Sequence, residues 1–319
     1  MKEELEAWLS DEVGEAVAVD GLRRTSMGFS RENWVFDATW GGASHALIAR
    51  RDPVGSVLET DRRIETAVLL AVARTGVPSP NLRWADLDGK RLGRPALLMD
   101  LAPGVCDAFV LNGELAPERR VAIAHRLYDR LADIHLLDWR ALGLGDALVV
   151  PAAGSAHAAI DHWESELRRV QLDPEPELTF VLAWLRANAP TDARTALVHG
   201  DFKPGNVLLV DDDVSAVLDW ETAHLGDPHE DLGWVTNPLR QGEHRIPGAW
   251  EPQDLLDRWS DRTGWPVDAE AVRWWQVLAN VKLSVIVLTG SRAFVEHRLD
   301  RIHQSPVGLY RMLLDQVGA

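Results

Sequence analysis

The sequence has few of the features that mark secreted proteins, nucleic-acid-binding proteins or proteins stabilised by bound metal ions. Its 319 residues include one cysteine, Cys106, which excludes an internal disulfide and fits a reducing compartment such as the cytoplasm. Basic residues are also scarce, with 33 Lys and Arg against 49 Asp and Glu. The net charge of −16 disfavours nucleic acid as a partner, because that binding normally needs a basic face. An acidic surface could attract a cationic substrate, although solubility explains the charge more simply.

Long apolar runs are missing as well. The N-terminus reads MKEELEAWLSDEVGEAV, which is acidic and lacks the apolar core of a signal peptide. The most apolar late run, 274–288, is interrupted by four polar residues: Gln276, Asn280, Lys282 and Ser284. It is too short and too polar for a bilayer span and predicts a buried helix. We therefore expect a cytoplasmic protein with no membrane partner.

Several site motifs are absent too. There is no G-x-S-x-G nucleophile elbow, and His157 and His162 have the wrong spacing for a helical zinc pair. The run 211–213 consists of three aspartates without the spaced ligands and final glutamate of a calcium loop, so it predicts a solvated turn.

The first hundred residues have the pattern of a small antiparallel sheet. Strand-like runs at 33–40 and 45–50 flank a Gly-Gly turn and predict a hairpin. Apolar residues at spacings of three and four predict a helix over 62–73. Runs at 82–85 and 95–99 bracket a second turn. This region is therefore expected to hold an antiparallel sheet with one main helix.

Beyond Ala102-Pro103-Gly104 the pattern becomes helical. Helices are predicted from Pro117 onward and over 161–170, 178–188, 252–263 and 269–288. Short apolar runs at 207–210 and 215–218 predict a hairpin among these helices. We accordingly expect an α+β protein with an N-terminal lobe over 1–101 and a larger, mostly helical lobe over 102–319.

The most informative segment, 199–219, reads HGDFKPGNVLLVDDDVSAVLD. A hairpin brings its open ends together, so Asn206 and Asp219 are expected to share one metal ion. Asp201 lies on the adjoining loop and can accept a proton from a hydroxyl, and Lys203 can lie over a phosphate as a point charge. Phosphoryl transfer needs these groups, namely one proton acceptor and oxygen ligands for Mg²⁺. Each residue alone is common in turns, but the set indicates function.

Segment 199–209 and the Leu-Asp-Trp-Glu run at 218–221 together resemble the aminoglycoside phosphotransferase family, which is similar to protein kinases in fold. Further matches are Gly226-Asp227-Pro228 with Asp231-Leu232, the Leu-Ala-Asp-Ile-His helix at 131–135, and Gly-Val-Pro-Ser-Pro at 76–80 after a helix that carries Glu65. The resemblance covers nearly the whole chain. It implies a two-lobed protein-kinase-like fold with an N-terminal nucleotide-binding lobe and a C-terminal catalytic and substrate-binding lobe.

The resemblance also implies roles for the central segment. Asp201 would be the catalytic base, and Asn206 and Asp219 would be the Mg²⁺ ligands. Lys203 would contact the transferred phosphate, and His199 would be a structural member of the catalytic loop.

Further site residues follow from the same resemblance. Kinases pair a basic residue on the third strand with an acid on the next helix, and we assign Arg50 and Glu65 to that pair. Arg51 remains an alternative, because strand register changes with one residue. Asp231 would brace the catalytic loop rather than take part in chemistry.

Two backbone segments would contact the nucleotide. A phosphate-covering loop is expected at Gly28, Phe29 and Ser30, although it lacks the G-x-G-x-x-G of protein kinases. Adenine would bind the backbone of a hinge strand at Asp100, Leu101 and Ala102.

We therefore expect a phosphotransferase that uses ATP, with GTP left open, and Mg²⁺. Its acceptor would be a hydroxyl of a small molecule: an aminoglycoside, a macrolide or a metabolic alcohol. A catalytically inactive, nucleotide-binding regulatory module on a kinase fold is the alternative, although all three key side chains are present. A protein kinase is disfavoured because no Ala-Pro-Glu segment follows Asp219. Oligomeric state is not indicated.

Overall fold

The computed structural model describes residues 1–25, 31–53, 61–191, 194–296 and 305–319. The helices of these residues are α1 Lys2–Val13, α2 Arg62–Val72, α3 Pro117–His135, α4 Ser155–Val170, α5 Pro176–Ala187, α6 His229–Val235, α7 Gln241–His244, α8 Pro252–Thr263, α9 Ala269–Val295 and α10 Val307–Val317. The strands are β1 Ala18–Arg24, β2 Glu32–Trp40, β3 Ala43–Arg51, β4 Leu82–Asp86, β5 Ala96–Asp100, β6 Ala196–Val198, β7 Val207–Val210, β8 Asp213–Val217 and β9 His224–Gly226.

The chain divides into two compact units. The first unit contains Met1–Val105 and Leu208–Glu221, and the second contains Cys106–Val207 and Thr222–Ala319. The first break falls after Val105, and the lobe boundary expected at residue 101 stays a prediction. The sequence did not indicate that the segment from Leu208 to Glu221 belongs with the N-terminal residues, because that membership depends on contacts distant in sequence.

The first unit is built on a five-stranded antiparallel sheet with the strand order β1-β2-β3-β5-β4. The β2–β3 turn consists of Gly41 and Gly42, with φ of 56° and 74°. A two-residue hairpin turn needs left-handed backbone at both positions, which glycine adopts without steric cost. The two predicted hairpins are therefore present in one sheet, and β1 is a fifth strand that the sequence analysis missed.

Two helices accompany this sheet, where one was expected. Helix α2 begins where predicted, because the side chain of Asp61 accepts a hydrogen bond from the backbone N–H of Arg63 at 2.8 Å. Helix α1 is additional. Its buried residues Leu5, Trp8 and Leu9 belong to one apolar cluster with residues of the sheet.

The β7–β8 hairpin is part of the first unit. Val105 and Leu209 exchange backbone hydrogen bonds of 3.0 and 3.1 Å, and Val217 donates its N–H to the Pro78 carbonyl at 2.8 Å. Gly104 adopts φ of 123°, and a Cβ there would lie 2.8 Å from the Leu209 carbonyl oxygen, so only glycine fits.

The tip of this hairpin is formed by aspartates. Asp211 and Asp212 have φ of 49° and 68°, the left-handed values of a tight two-residue turn. Aspartate tolerates this conformation better than most residues. Asp211 and Asp212 therefore form the predicted turn, and Asp213 begins β8.

The second unit is mostly helical, and α9 is its central helix. Buried side chains of α4, α5, α9 and α10 form one apolar cluster, which includes Ile160, Leu178, Trp274, Val281 and Leu313. Among the described residues, α9 is the one helix long and apolar enough to cross a membrane, and 61% of its most apolar stretch is buried within the protein. It extends seven residues beyond the predicted end at 288, to Val295.

Close packing of α6 against α9 generates a stability prediction. A Cβ on Gly233 of α6 would lie 2.6 Å from the Cβ of Trp275, closer than any real contact. We expect Gly233→Ala to destabilise the protein by about 1–3 kcal/mol, the usual cost of overpacking. Thermal unfolding followed by circular dichroism measures the change.

Gly290→Ala is the matched control. Gly290 lies in α9, and a Cβ there would meet nothing within 4 Å. Because alanine favours helix over glycine by about 0.5–1 kcal/mol, this variant should unfold at an equal or higher temperature. Similar melting temperatures for the two variants would contradict the packing account.

Candidate active site

The loop that carries Asp201 begins directly after the buried strand β6. Val198 of β6 pairs with His224 of β9, and the chain then turns sharply at Gly200, whose φ is 79°. A Cβ at Gly200 would lie 2.8 Å from the Thr222 carbonyl oxygen, so the close return of the chain requires glycine. The turn exposes the next residue, Asp201, whose side chain is 26% accessible.

Asp231, which is fully buried in α6, holds this loop in place. Its Oδ2 accepts the backbone N–H of His199 at 2.7 Å, and its Oδ1 accepts that of Gly200 at 2.8 Å. His135 of α3 lies 3.1 Å from Oδ2 through Nε2. Burial would raise the pKa of Asp231, but these hydrogen bonds outweigh it and hold the pKa below its ordinary value. The carboxylate thus positions the loop, in agreement with the bracing role expected from the sequence.

The tautomer of His135 follows from its second partner. Trp259 of α8 donates its indole N–H to His135 Nδ1 at 2.9 Å. Nδ1 is therefore an acceptor, so Nε2 carries the hydrogen and donates it to Asp231. Three helices of the second unit, α3, α6 and α8, thereby fix one carboxylate.

His199 supports the loop rather than facing solvent. It is fully buried, its ring meets Phe202 edge to face, and its Nδ1 accepts the backbone N–H of Asp201 at 3.3 Å. These contacts hold His199 against the loop, and its role as a member of a catalytic loop stays a prediction.

Among the described residues, side-chain donors bind Asp201 through one of its two carboxylate oxygens. Lys203 Nζ donates to Asp201 Oδ2 at 2.6 Å, and Asn206 Nδ2 donates to the same oxygen at 3.0 Å. Burial would raise the pKa of Asp201, but the cations Lys203 and Lys282 outweigh it and keep the pKa below its ordinary value. Asp201 is therefore a carboxylate at neutral pH, and its Oδ1 takes no part in these two bonds.

Asn206 is oriented by the same loop. It ends a short 3-10 turn at Pro204–Asn206 and is almost completely buried. Its amide nitrogen also donates to the Asp201 backbone carbonyl at 2.9 Å. Both amide hydrogens are thus directed at Asp201, which leaves the amide oxygen as the group that could bind a cation.

The sequence analysis missed Lys282 as a site residue. It lies on α9 and donates from Nζ to the Gly200 carbonyl at 2.6 Å, directly before Asp201. Its Nζ also lies 4.7 Å from the ring centroid of Trp234. The available signal was a lysine within an apolar helical run, since a buried lysine needs a partner.

A second missed group follows helix α6. The guanidinium carbon of Arg240 lies 4.1 Å from the ring centroid of Trp234, and its Nη2 donates to Glu243 at 2.8 Å. His244 Nδ1 and the Tyr128 hydroxyl are hydrogen-bonded at 2.8 Å. Burial and the positive charge of Arg240 lower the pKa of His244 to about 3, so this imidazole is neutral.

In the first unit, Arg50 forms the predicted pair with Glu65. Arg50 Nη1 donates to Glu65 Oε1 at 2.8 Å, and Arg62 Nη1 donates to Glu65 Oε2 at 2.6 Å. Arg51 instead donates to Glu32 at 2.7 Å, so the pairing selects Arg50 over its neighbour. The nucleotide-binding role of the Arg50–Glu65 pair stays a prediction.

Arg50 has a second partner in Asp219, which accepts a hydrogen bond from Nη2. Asp219 adopts φ of 58°, a left-handed value that is uncommon for residues other than glycine. Burial would lower the pKa of Arg50, but Glu65 and Asp219 outweigh it and raise the pKa further above its ordinary value. The guanidinium is therefore always charged.

The other predicted nucleotide contacts are less informative. Gly28, Phe29 and Ser30 lie outside the described residues. The N–H of Asp100 donates to the Asn81 carbonyl at 2.9 Å, and that of Leu101 donates to the Ala46 carbonyl at 3.0 Å. The amides of Asp100 and Leu101 would thus have to give up these bonds in order to bind an adenine.

Two side chains each have an oxygen donor of the kind that suits a hard cation such as Mg²⁺. Asn206 offers an amide oxygen and Asp219 a carboxylate, at the two ends of the β7–β8 hairpin. Mg²⁺ is usually bound by one or two protein oxygens together with substrate phosphates and water. Within the described residues, no group of three or more His, Cys, Asp or Glu is placed to hold a metal by itself.

A family model described as "Phosphotransferase enzyme family" matches residues 21–279. The chain belongs to this family. The expected family and the enzyme class, a phosphotransferase of the small-molecule kinase type, are thereby confirmed.

Two curated relatives match part of the chain. Acyl-CoA dehydrogenase family member 10 of Mus musculus is 31% identical over 202 residues, which are 60% of this chain and 18% of that protein. Homoserine kinase of Methylocella silvestris is 27% identical over 226 residues, 69% of this chain and 64% of that protein. The chain thus spans less than a fifth of the length of the mouse relative.

Solved structures share the fold. A Ralstonia eutropha protein assigned as an aminoglycoside phosphotransferase superposes with a TM-score of 0.75 at 22% identity, over 99% of this chain and 96% of that one. An aminoglycoside phosphotransferase in ternary complex with ADP and hygromycin B gives 0.61 at 15% identity, over 99% and 98%. The protein-kinase-like fold predicted from the sequence is confirmed.

The loop-holding role of Asp231 is testable. We expect Asp231→Asn to destabilise the protein by about 1–3 kcal/mol, because the amide cannot accept from two backbone N–H groups and from His135 without leaving a buried donor unpaired. Chemical denaturation measures the change. Asp261→Asn is the control, since Asp261 is an exposed carboxylate on α8. Equal stability of the two variants would show that Asp231 does not hold the loop.

A second prediction concerns the charge of Asp201. Lys203→Met removes the cation 2.6 Å from Oδ2, so the pKa of Asp201 should rise toward its ordinary value or above. The carboxylate would then take up a proton at a higher pH than in the wild type. Carbon-13 NMR of the Asp201 carboxyl during a pH titration measures this without any substrate. Lys203→Arg keeps the charge and should leave the titration of Asp201 nearly unchanged. If Asp201 titrates in the Met variant as it does in the wild type, Lys203 does not set its pKa.

Proposed function

We propose that the protein transfers the terminal phosphoryl group of ATP to a hydroxyl of a small molecule, with Mg²⁺ as cofactor. The observation that carries the proposal is the state of Asp201. Its carboxylate is ionised, Lys203 and Asn206 bind one of its oxygens, and the other oxygen is outside those bonds. A general base needs this combination of fixed orientation and a free basic oxygen.

Each remaining residue has a role that its chemistry supports. Asp201 Oδ1 would accept the proton of the acceptor hydroxyl as the new bond to phosphorus forms. Lys203 would bind a phosphoryl oxygen as a point charge. Arg50, held by Glu65, would bind another phosphate group.

Asn206 and Asp219 would hold the metal through their side-chain oxygens. When bound, Mg²⁺-ATP supplies the activated phosphoryl group and the positive charge that screens it. Arg50 bonds to Oδ1 of Asp219, so a metal would bind the other oxygen or take the place of Arg50 at Oδ1. In the second case Arg50 would be available to the nucleotide while Glu65 still holds it.

The comparisons support the cofactor and the type of acceptor. One structural neighbour was solved with ADP and hygromycin B, and one relative is named a homoserine kinase. Both names fit a nucleotide-dependent transfer to a hydroxyl group. Aminoglycosides, macrolides and metabolic alcohols are therefore the acceptor classes to test first.

Removal of the proposed base tests the proposal directly. We expect Asp201→Asn to lower kcat by about 10²- to 10⁴-fold, the usual contribution of a general base, while nucleotide affinity changes little. Steady-state phosphate transfer measures kcat, and calorimetry measures nucleotide binding.

Asp211→Asn is the matched control. Asp211 is an exposed carboxylate of the same segment with a φ of 49°, which asparagine also tolerates. Its kcat should equal that of the wild type. An Asp201→Asn enzyme with wild-type turnover would remove Asp201 from the mechanism, and nucleotide binding without any turnover would favour the inactive regulatory module instead.

A further inference from the structure

The second unit places three cations near Asp201. The cations that most influence this carboxylate are Lys203, Lys282 and Arg240, in that order. Lys203 is assigned to the transferred phosphate, and Lys282 is bonded to the Gly200 carbonyl. Arg240 has neither duty. Arg240 is partly buried, and its ion pair is with Glu243.

The hydrogen bonds of Arg240 are incomplete. Its side chain is 12% accessible and pairs with Glu243 through Nη2 at 2.8 Å. Its Nε–H is buried and has no acceptor among the described residues. The indole N–H of Trp234, the ring on which Arg240 lies, is also buried without an acceptor in that part of the chain. Both atoms can only donate, and a buried unpaired donor costs stability unless a ligand or water accepts from it.

The carboxylates of this region are already paired. Glu230 accepts a hydrogen bond from His224 Nε2 at 3.0 Å. Burial would lower the pKa of His224, but the charge of Glu230 outweighs it and raises that pKa to about 9. Asp231 is occupied by the loop amides, and Glu243 by Arg240. A cationic acceptor would therefore meet carboxylates that already have partners.

We infer that the acceptor of this enzyme carries a carboxylate close to its reactive hydroxyl, and that Arg240 binds this carboxylate. Arg240 is then a specificity-determining residue, with Trp234 packed against its guanidinium as a platform. A guanidinium suits this task because it is always charged and presents several N–H donors in a fixed plane. Asp201 would meet the hydroxyl end of the same molecule. This inference rests on the proposed function, since it identifies the acceptor class of that site.

The experiment compares three acceptors of equal length: a short hydroxy acid, the matching diol and the matching amino alcohol. The wild-type enzyme should show the highest kcat/KM with the hydroxy acid. Arg240→Gln should lower kcat/KM for the hydroxy acid by about 10- to 100-fold, the usual contribution of a hydrogen bond to a charged group. With the diol, the variant should lose clearly less than with the hydroxy acid. Arg262→Gln, which alters an exposed arginine on α8, should change none of these values.

The outcomes separate this inference from the proposed function. A preference for the amino alcohol or for an aminoglycoside would overturn the inference and leave the phosphotransferase proposal standing. An equal loss with all three acceptors in Arg240→Gln would also overturn it. If no acceptor is phosphorylated, the same three compounds are titrated into the protein by calorimetry. Tighter binding of the hydroxy acid that is weakened in Arg240→Gln would support the inference, and equal responses, including none, would overturn it.

Discussion

The candidate active site depends on one buried interaction, the carboxylate of Asp231 accepting the backbone N–H groups of His199 and Gly200. The amides of a loop that follows a short strand lack the backbone hydrogen bonds of a sheet. A buried N–H group without an acceptor lowers the stability of the fold. Asp231 supplies the missing acceptor. It thereby fixes a left-handed turn at Gly200 that directs Asp201 outward. Because the carboxylate is fully buried, it must itself be held, and His135 does so with the help of Trp259.

A related network supports the segment after β9. Asp227 accepts from the backbone N–H of His229 at 3.0 Å and from its Nδ1 at 2.7 Å, while His229 Nε2 accepts the N–H of Asp268 at 3.1 Å. Trp275 donates its indole N–H to Asp227 at 3.3 Å. The Gly-Asp-Pro and Asp-Leu residues of the family pattern are thus structural here. Tryptophan serves twice as a hydrogen-bond donor to these networks, through Trp259 and Trp275.

Local sequence patterns predicted the structural features that depend on residues close together in the chain. The Gly41-Gly42 hairpin, the start of α2 and the Asp-rich turn all follow from backbone preferences of single residues, and the structure has them. The central segment was likewise recognisable because Asp201, Lys203 and Asn206 contact one another across a few residues. Lys282 could not be assigned in the same way, since its partner, the Gly200 carbonyl, lies 82 residues away in sequence. Strand alternation left Arg50 and Arg51 equivalent, and only the partners Glu65 and Glu32 distinguish them.

The carboxylate of Asp201 in the second unit and that of Asp219 in the first unit are held in different ways, and this difference bears on function. Asp201 is held by neighbours within its own loop, so its position does not depend on a partner that must later leave. Asp219 instead has a left-handed backbone and a bond to Arg50. A strained conformation of this kind costs about 1–3 kcal/mol and persists only where surrounding structure enforces it, here the end of the β7–β8 hairpin. The hairpin therefore fixes the backbone of Asp219, whereas its side chain has a partner that a metal ion can replace. A base that keeps its position would need the contacts that Asp201 has. A metal ligand that exchanges its partner would need those that Asp219 has.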